Sequence, residues 1–328
     1  MTSEQTDKLA GLYDRLAKLP DEFSDFSHIY QTDIEPALKE KEADRQAAWR
    51  KARMIIAAGL IIGGLIALGG FYFFRSIFPI AIGAMAGFGL GNWGYSGVRA
   101  IGRQAKQIMV QPIAQRFGLT YNELASPAAS THLDAARGLD LVPRWDRKHL
   151  EDEIIGERNG NGFEFFEAHL EQRRTTRDSR GNTQTKWVTV FHGQCWIINS
   201  PKTFHGTTKV SRDSGLFNAL GAMGSKWSRA KLEDPVFEKV WEVYTTDQVE
   251  SRYLLTPDVM QALVELEAAF KSQKLRCAFH EDRIYVAAEG GDLFEPGSMM
   301  KSLDDPNRVG ELLEDFARVF HLIDELGK

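Results

Sequence analysis

The stretch that decides the fold reads MIIAAGLIIGGLIALGGFYFFRSIFPIAIGAMAGFGLGNWGYSG and covers residues 54–97. Its one charged residue, Arg75, lies between two uncharged segments of 21 residues each, 54–74 and 77–97. At a rise of about 1.5 Å per residue, each segment forms a helix roughly 31 Å long, which matches the hydrocarbon core of a bilayer. The sequence therefore predicts two membrane-spanning helices and argues against the core of a soluble domain.

The middle of this stretch predicts a turn. A single helix through residues 54–97 would hold Arg75 at membrane depth, at a cost of about 2.5–3.5 kcal/mol. Pro79 follows the Arg75-Ser76 pair at a position that the first turn of a helix tolerates. We therefore expect a transmembrane helical hairpin within residues 54–98.

Basic residues flank the predicted hairpin at both of its outer ends, whereas the turn holds only Arg75. The flanking residues are Lys39, Lys41, Arg45, Arg50, Lys51 and Arg53 before the first span, and Arg99, Arg103 and Lys106 after the second. By the positive-inside rule, both termini are predicted to be cytoplasmic. The sequence thus indicates a multi-pass protein of the cell inner membrane, with the lipid bilayer as its first partner.

Glycines recur at four-residue spacing in both predicted spans, and this spacing is typical of helices that approach closely. The glycines are Gly59 and Gly63 in the first span and Gly83, Gly87 and Gly91 in the second. We expect their faces either to pack the hairpin together or to pair copies in a homo-oligomer. The alternative is that they have no specific role, because glycine is common in spans. Neither span contains an internal ionisable residue, which argues against an ion or proton path.

The rest of the chain divides by its hydrophobic period. Residues 1–53 are predicted to be a cytoplasmic helical region, and residues 99–149 a membrane-proximal helical linker that Pro112 kinks or interrupts. From about residue 150 the pattern becomes strand-like, with a few helices and no regular βαβ alternation. Residues 150–328 are therefore predicted to form a cytoplasmic α+β domain with a mainly antiparallel sheet and packed helices.

Several elements of this domain are predicted individually. Residues 162–171 and 185–198 indicate a long β-hairpin, and apolar residues on both faces of the second strand are typical of a central strand. Two helices are expected to begin at Pro257 and Pro306, each preceded by a capping residue. Four more strands are predicted at 205–211, 238–246, 275–280 and 283–289.

The charge balance and the cysteines limit the classes of partner. Residues 120–328 contain 26 basic and 34 acidic side chains, whereas residues 1–119 contain 14 basic and 11 acidic ones. A mildly acidic larger region argues against nucleic-acid binding, which needs a broad basic face. Two cysteines, Cys195 and Cys277, are too few for a disulfide framework and favour a reducing compartment.

Motifs of catalysis and metal binding are not found. The eight histidines have no zinc-site spacing, and no phosphate-loop or nucleophile-elbow pattern occurs. His192 and Cys195 are three residues apart on a predicted strand, so their side chains point to opposite faces. The run Glu151–Glu153 could bind a cation, but the favoured interpretation is a solvated acidic cluster. The sequence predicts no catalytic residue, no metal site and no cofactor.

Two segments are candidates for contact with lipid or a protein partner. The loop 172–186 contains a basic cluster in an otherwise acidic region, and it either meets anionic lipid or is a mobile, solvated loop tip. The segment 214–231 has an apolar stripe that includes Trp227, and it either lies on a membrane or packs over the sheet. The candidate contact residues are Arg173, Arg174, Arg177, Arg180 and Trp227.

Several segments resemble a known family. The most specific of them is the segment 237–260, which contains VYTTDQVESRYLLTP. The order of helix, paired spans and domain also follows the pattern of that family. The other segments are VFHGQCW (190–196), FHGTTKV (204–210), DRIYVAAEGGDLFEP (282–296) and EDEIIGERNGNGFEFFEAHLE (151–171).

Together these segments are similar to bacterial membrane proteins catalogued as domain of unknown function 3137, over roughly residues 30–326. Ser251 and His192 depart from the family pattern, which has alanine and lysine at these positions. The resemblance implies a membrane topology and carries no reaction, and the departure at His192 argues against a catalytic role for that residue.

The leading hypothesis is a membrane-anchored protein that presents a cytoplasmic α+β domain as a binding or scaffold module. The alternative is a membrane-tethered cytoplasmic enzyme with an unrecognised active site. For that alternative, the first candidate cluster is Asp247, Glu250, Arg252 and Tyr253, where charges interrupt an apolar stretch. A third hypothesis is a scaffold that forms a homo-oligomer through its glycine faces, and an unidentified protein partner is a further candidate.

Overall fold

The computed structural model describes residues 3–74, 78–177, 183–212, 227–232, 234–269 and 274–327. The chain forms two compact units. The first comprises Met1–Ile113 and Phe294–Glu314, and the second comprises Ala114–Leu293 and Asp315–Lys328. The sequence-based division at residue 150 therefore differs from the observed one, because the second unit begins at residue 114 and the segment 294–314 is part of the first.

The first unit is helical. It contains α1 (Ser3–Leu16), α2 (Phe26–Ile29), α3 (Glu35–Phe74) and most of α4 (Phe78–Arg116). The charged segment before residue 54 continues as helix without a break into the apolar stretch. Pro112 lies inside α4, so the helix is not interrupted there. The residues around it, Val110, Ile113 and Ala114, are fully buried, and this packing offsets the one intrahelical bond that proline removes.

One helical segment of the described residues, Asp21–Phe73, is long and apolar enough to cross a membrane. The predicted second span coincides with the first part of α4, which does not meet the same standard of length and hydropathy over the described residues. Asn92, Trp93 and the frequent glycines reduce the hydropathy of that part. The predicted turn at Arg75-Ser76 lies outside the described residues.

The second unit is built on one antiparallel sheet of nine strands, in the order β1-β2-β3-β4-β9-β8-β5-β7-β6. The predicted α+β class with a large antiparallel sheet and packed helices is confirmed. The strands are β1 (Thr120–Leu124), β2 (Arg147–Arg158), β3 (Asn161–Arg177), β4 (Thr183–Asn199), β5 (Thr207–Arg212), β6 (Ser228–Ala230), β7 (Trp241–Thr245), β8 (Leu275–His280) and β9 (Arg283–Glu289).

The predicted long hairpin is β3–β4, and it is longer than expected because each strand has 17 residues. The other four predicted strands correspond to β5, β7, β8 and β9. Strands β1, β2 and β6 were not predicted, so the segment 99–149 is not a purely helical linker. A two-residue turn, Asn159-Gly160, joins β2 to β3, and both residues have positive φ, 52° and 82°. Asn-Gly is the preferred pair for such a turn.

Helices cover the sheet. α5 (Pro127–Gly138) packs its buried Ala129, Leu133 and Ala136 into a core formed with β3, β4, β8 and β9. α7 (Pro257–Ala269) and α8 (Pro306–Leu326) begin at the two predicted prolines, and α8 ends directly before Gly327. A short helix, α6 (Gln248–Leu254), precedes α7.

Candidate functional site

Histidines and acidic residues form a group on the sheet face opposite α5. We call the six residues His149, Glu151, Glu167, His169, His192 and Asp292 the histidine–carboxylate patch. Two rows of paired residues cross three adjacent strands: His149, His169 and His192 in one row, and Glu151, Glu167 and Gln194 in the other. The alternating neighbours on these strands, such as Ala168 and Cys195, lie in the α5 core.

The segment after β9 closes against the patch. Nε2 of His192 lies 2.7 Å from Oδ1 of Asp292, and the backbone N–H of Leu293 donates to Oε1 of Glu167 over 2.7 Å. The Gln194 side-chain amide donates to the carbonyl of Gly291, and Gly290 N–H donates to the His192 carbonyl over 2.9 Å. Two of the segments that carry the family resemblance, 190–196 and 282–296, therefore meet at this point.

Three carboxylates of the patch are close enough to share a cation. One oxygen from each of Glu151, Glu167 and Asp292 lies within 4.8 Å of the others. Glu167 is 2% exposed, so its environment screens charge poorly. Oxygen donors of this kind suit hard divalent cations, and these three residues are the ones that could hold a metal in the described part of the chain.

Two imidazoles lie beside these carboxylates. The rings of His169 and His192 are 4.8 Å apart, and Nε2 of His169 lies 2.8 Å from the hydroxyl of Thr189. A register shift between Leu170 and Glu171 brings Thr189 onto the same sheet face as His169. Protons on the imidazoles or a bound cation would offset the mutual repulsion of the carboxylates.

Sequence reasoning missed the patch because its residues come from four separated segments. A signal was nevertheless present. His149-Leu-Glu151 and Glu167-Ala-His169 are mirror images about the Asn159-Gly160 turn, so a hairpin through that turn brings like residues opposite each other. Recognition of the turn would have placed two histidines and two glutamates on one face.

The run Glu151–Glu153 is not a solvated cluster, so that interpretation is wrong. Asp152 has positive φ, 52°, within an irregularity of β2, and its carboxylate accepts from the Tyr121 hydroxyl over 2.7 Å. Burial and the neighbouring Asp152 raise the pKa of Tyr121. Glu153 accepts from Asn122 and Ser126. Asp152 and Glu153 are fully buried, and Glu151 alone joins the patch.

The cluster considered for an enzyme consists of carboxylates bound to the backbone. Asp247 caps α6 by accepting from the N–H groups of Val249 and Glu250, at 2.9 and 3.0 Å. Glu250 accepts from the N–H groups of His205 and Gly206, each over 2.7 Å. These carboxylates stabilise a helix start and a loop. Arg252 and Tyr253 are exposed, and the Lys202 ammonium lies over the Tyr253 ring.

The two cysteines are buried, and burial raises the pKa of both thiols. Cys195 lies in the α5 core, whereas His192 faces the patch. The prediction that these two side chains point to opposite faces of their strand is confirmed. Neither thiol is a ready nucleophile, because the thiolate form is disfavoured.

The basic loop predicted as a contact surface forms the far end of the β3–β4 hairpin. We call residues 172–177 and 183–188 the β arm. Arg173 pairs with Trp187, and Arg174 pairs with Lys186. Nearly all side chains of the arm are exposed on both faces, including Arg173, Arg174 and Arg177. The guanidinium of Arg147 lies 4.4 Å from the Trp187 ring centroid. Arg180 lies outside the described residues.

Trp227 lies against the sheet. Nζ of the buried Lys209 is 4.5 Å from the centroid of its ring, and the same ammonium lies 2.8 Å from Oδ2 of Asp140. Trp227 is half-buried, which favours packing over the sheet for this residue. The segment 214–226, which contains the rest of the predicted apolar stripe, lies outside the described residues.

Four of the five singled-out glycines lie at the closest approach of α3 and α4. A Cβ on Gly63 would lie 2.6 Å from the carbonyl oxygen of Gly83, and a Cβ on Gly59 would lie 3.4 Å from that of Gly87. The fifth, Gly91, is more distant, because its Cβ would approach only Ile56, at 4.0 Å. Gly94 also lies in the contact and was not singled out; its Cβ would lie 3.0 Å from Ile55.

Comparison with known proteins gives one family. Residues 189–328 match the family model described as "Protein of unknown function (DUF3137)". The family resemblance is therefore confirmed over these residues, which include four of the five shared segments in full. Residues 151–171 resemble the family in sequence but lie outside the matched region.

Two other comparisons concern curated proteins and solved structures. No curated protein matches the chain. Among solved structures, the crystal structure of the mycobacterial trehalose monomycolate transport factor A, TtfA, is similar with 10% sequence identity and a TM-score of 0.32. The similarity covers 64% of this chain and 93% of that chain.

Proposed function

We propose, starting from the family match over residues 189–328, that this protein is a membrane-anchored binding or scaffold module. In this proposal, α3 and α4 cross the cell inner membrane as a hairpin, and the second unit is presented in the cytoplasm. The observation that carries the proposal is the apolar surface of the two helices.

Large apolar side chains are exposed along both helices. Leu65 is 66% exposed and Phe88 is 80% exposed, and their neighbours are similar. Soluble monomers rarely expose continuous apolar patches of more than a few hundred Å². Lipid would cover the whole set: Leu60, Ile61, Leu65, Leu68, Phe73, Ile82, Met85, Phe88 and Trp93.

The glycine contact supports two spans. α4 approaches α3 through Gly83 and Gly87, so the first half of α4 accompanies the one helix that, among the described residues, is long and apolar enough by itself. Close glycine contacts are the common way for two helices to associate in lipid, where the hydrophobic effect does not drive them together. The same contact uses the glycine faces within one chain, which argues against pairing of copies through them.

A topology experiment tests the anchor. Reporters that are active only outside the cytoplasm are fused after Lys328, before Met1 or at Ser76 of the full chain. Two spans predict activity at Ser76 alone, because the basic flanks hold both termini inside. The protein should also stay in the membrane pellet after an alkaline carbonate wash.

Other results have distinct meanings. Activity at one terminus only indicates a single span and contradicts the hairpin. Release of the full chain by carbonate contradicts the anchor altogether.

The β arm is the surface that we propose for a protein partner. A two-stranded ribbon is marginally stable by itself, and this one is exposed on both faces, so a partner would stabilise it. Its arginines favour an acidic partner within a unit that is otherwise acidic. In the same proposal, Trp227 serves packing, and the partner meets the arm.

Replacing Arg173 and Arg174 by glutamine should reduce the yield of a partner that co-purifies from native membranes. The free energy of unfolding should change by less than about 0.5 kcal/mol, because both side chains are exposed. The matched control replaces Lys231 and Arg252 by glutamine. Both are exposed basic residues of the same unit that lie outside the arm. An equal loss of partner in both variants would contradict a specific role of the arm.

A further inference from the structure

The part of α3 that directly precedes its apolar stretch borders a basic pocket of about 260 Å³ within the first unit. We call it the interface pocket, and the residues that line it are Arg45, Gln46, Trp49, Arg50, Arg53 and Met300. We propose that this pocket binds the phosphate group of an anionic phospholipid from the membrane that α3 enters. The inference rests on the proposed membrane anchor and adds the class of ligand.

The pocket lies at the depth of lipid headgroups. Arg53 and Arg50 precede Met54, the first residue of the apolar stretch, by one and four residues, which is about 1.5 and 6 Å along the helix. The headgroup layer on each side of the hydrocarbon core is about 5–7 Å thick. Both guanidinium groups therefore fall within reach of phosphate oxygens.

The floor of the pocket is held by a network of hydrogen bonds. The carbonyl of Met299 accepts from Nη1 of Arg45 over 2.7 Å and from Nε1 of Trp49 over 2.5 Å. The guanidinium of Arg308 donates to four carbonyls of the same loop, those of Pro296, Ser298, Lys301 and Ser302. The loop that carries Met300 is thereby fixed against α3.

Charge compensation within the pocket is unequal. Glu42 accepts two hydrogen bonds from Arg45, at 2.8 and 2.6 Å, and one from the Leu303 N–H over 3.0 Å. Burial raises the pKa of Glu42, but these bonds outweigh it and lower the pKa to about 2. The charge of Arg45 is thus balanced. Arg50 and Arg53 have no carboxylate within 4.0 Å in the described part of the chain, and both are exposed.

The remaining wall is amphipathic, as a lipid site requires. The Trp49 ring lies 5.7 Å from the Tyr95 ring and 5.8 Å from Cζ of Arg53, and such aromatic residues are enriched at membrane interfaces. Met300 is 77% exposed at the rim, where it can meet the first carbons of an acyl chain. Arginine is well suited to phosphate because its planar group can donate two parallel hydrogen bonds.

The test uses the full chain, purified in a neutral detergent, with short-chain phosphatidylglycerol as the probe. Phosphatidylglycerol should raise the melting temperature in a dose-dependent manner, and phosphatidylcholine of the same chain length should not. Replacing Arg50 and Arg53 by glutamine should weaken the apparent affinity roughly 30-fold, at about tenfold for every 1.4 kcal/mol and about 1 kcal/mol per basic residue.

The matched control replaces Lys51 and Arg103 by glutamine. These two basic residues are exposed and border the same apolar stretch, but they do not line the pocket. This control should keep most of the response. An equal loss in both variants would overturn the pocket in favour of general charge attraction. An equal response to inorganic phosphate would overturn the lipid as the source of the group. No response of the native protein to phosphatidylglycerol would overturn the inference alone, because resistance to carbonate reports separately on the anchor.

Discussion

Replacing Gly63 by leucine should force α3 away from α4 and lower the free energy of unfolding by about 3 kcal/mol or more. The reason is the identity of the neighbour. A Cβ at position 63 would lie 2.6 Å from the Gly83 carbonyl oxygen and 3.6 Å from the Gly87 Cα, and neither is a side chain that can turn aside. Overpacking costs about 1–3 kcal/mol even where side chains can adjust.

The control for this variant is the adjacent glycine. Gly64 lies on the same helix at the same depth, and a Cβ there meets nothing within 4 Å. Gly64→Leu adds the same apolar side chain and should leave thermal unfolding of the detergent-solubilised protein nearly unchanged. Equal melting temperatures for the two variants would show that the helices do not meet at Gly63.

Replacing Gly193 by alanine should open the sheet between β4 and β9. The free energy of unfolding should fall by about 3 kcal/mol or more. A Cβ at this position would overlap the Ala288 carbonyl oxygen and lie 3.0 Å from the Glu289 Cα, both of which are backbone atoms of the adjacent strand. The neighbours of Gly193 in the chain, His192 and Gln194, hold the segment after β9. The variant should therefore also release that segment, with faster hydrogen exchange at the Gly290 N–H.

Gly291→Ala is the matched control, and we expect it to change the free energy of unfolding in the opposite direction. A Cβ at Gly291 meets nothing within 4 Å, and its φ is not positive. Alanine should stabilise by about 0.4–1 kcal/mol through the unfolded chain. Urea unfolding of the full chain measures both variants, and equal midpoints would contradict the close contact at Gly193.

The parts of the fold that were predictable are those determined by local chemistry. The prolines at 257 and 306, each after a capping residue, set the starts of α7 and α8 correctly. The same signal, Ser126-Pro127, starts α5, and the Asn159-Gly160 turn starts β3; both were present in the sequence and were overlooked. The long β3–β4 hairpin was predictable because two β-rich segments, 162–171 and 185–198, flank a polar loop that contains Gly181.

The parts that were missed depend on contacts between distant segments. The patch needs the positions of β2, β3 and β4 and of the segment after β9, and no sequence period links them. Asp152 and Glu153 are acidic and consecutive, which is typical of a surface, yet Tyr121, Asn122 and Ser126 bind them in the interior. The interface pocket requires Met299 beside Trp49, a partnership across 250 residues.

The division of the first unit has a consequence for biosynthesis. Its last piece, Phe294–Glu314, leaves the ribosome after the 180 residues of Ala114–Leu293. At about 5–20 residues per second, roughly 10–35 s pass between the synthesis of the first helices and that of the segment that completes their unit. During that interval Arg45 and Trp49 lack the carbonyl that they bind in the finished protein. A nascent chain stalled before Met299 would therefore have α3 and α4 made and the interface pocket still incomplete.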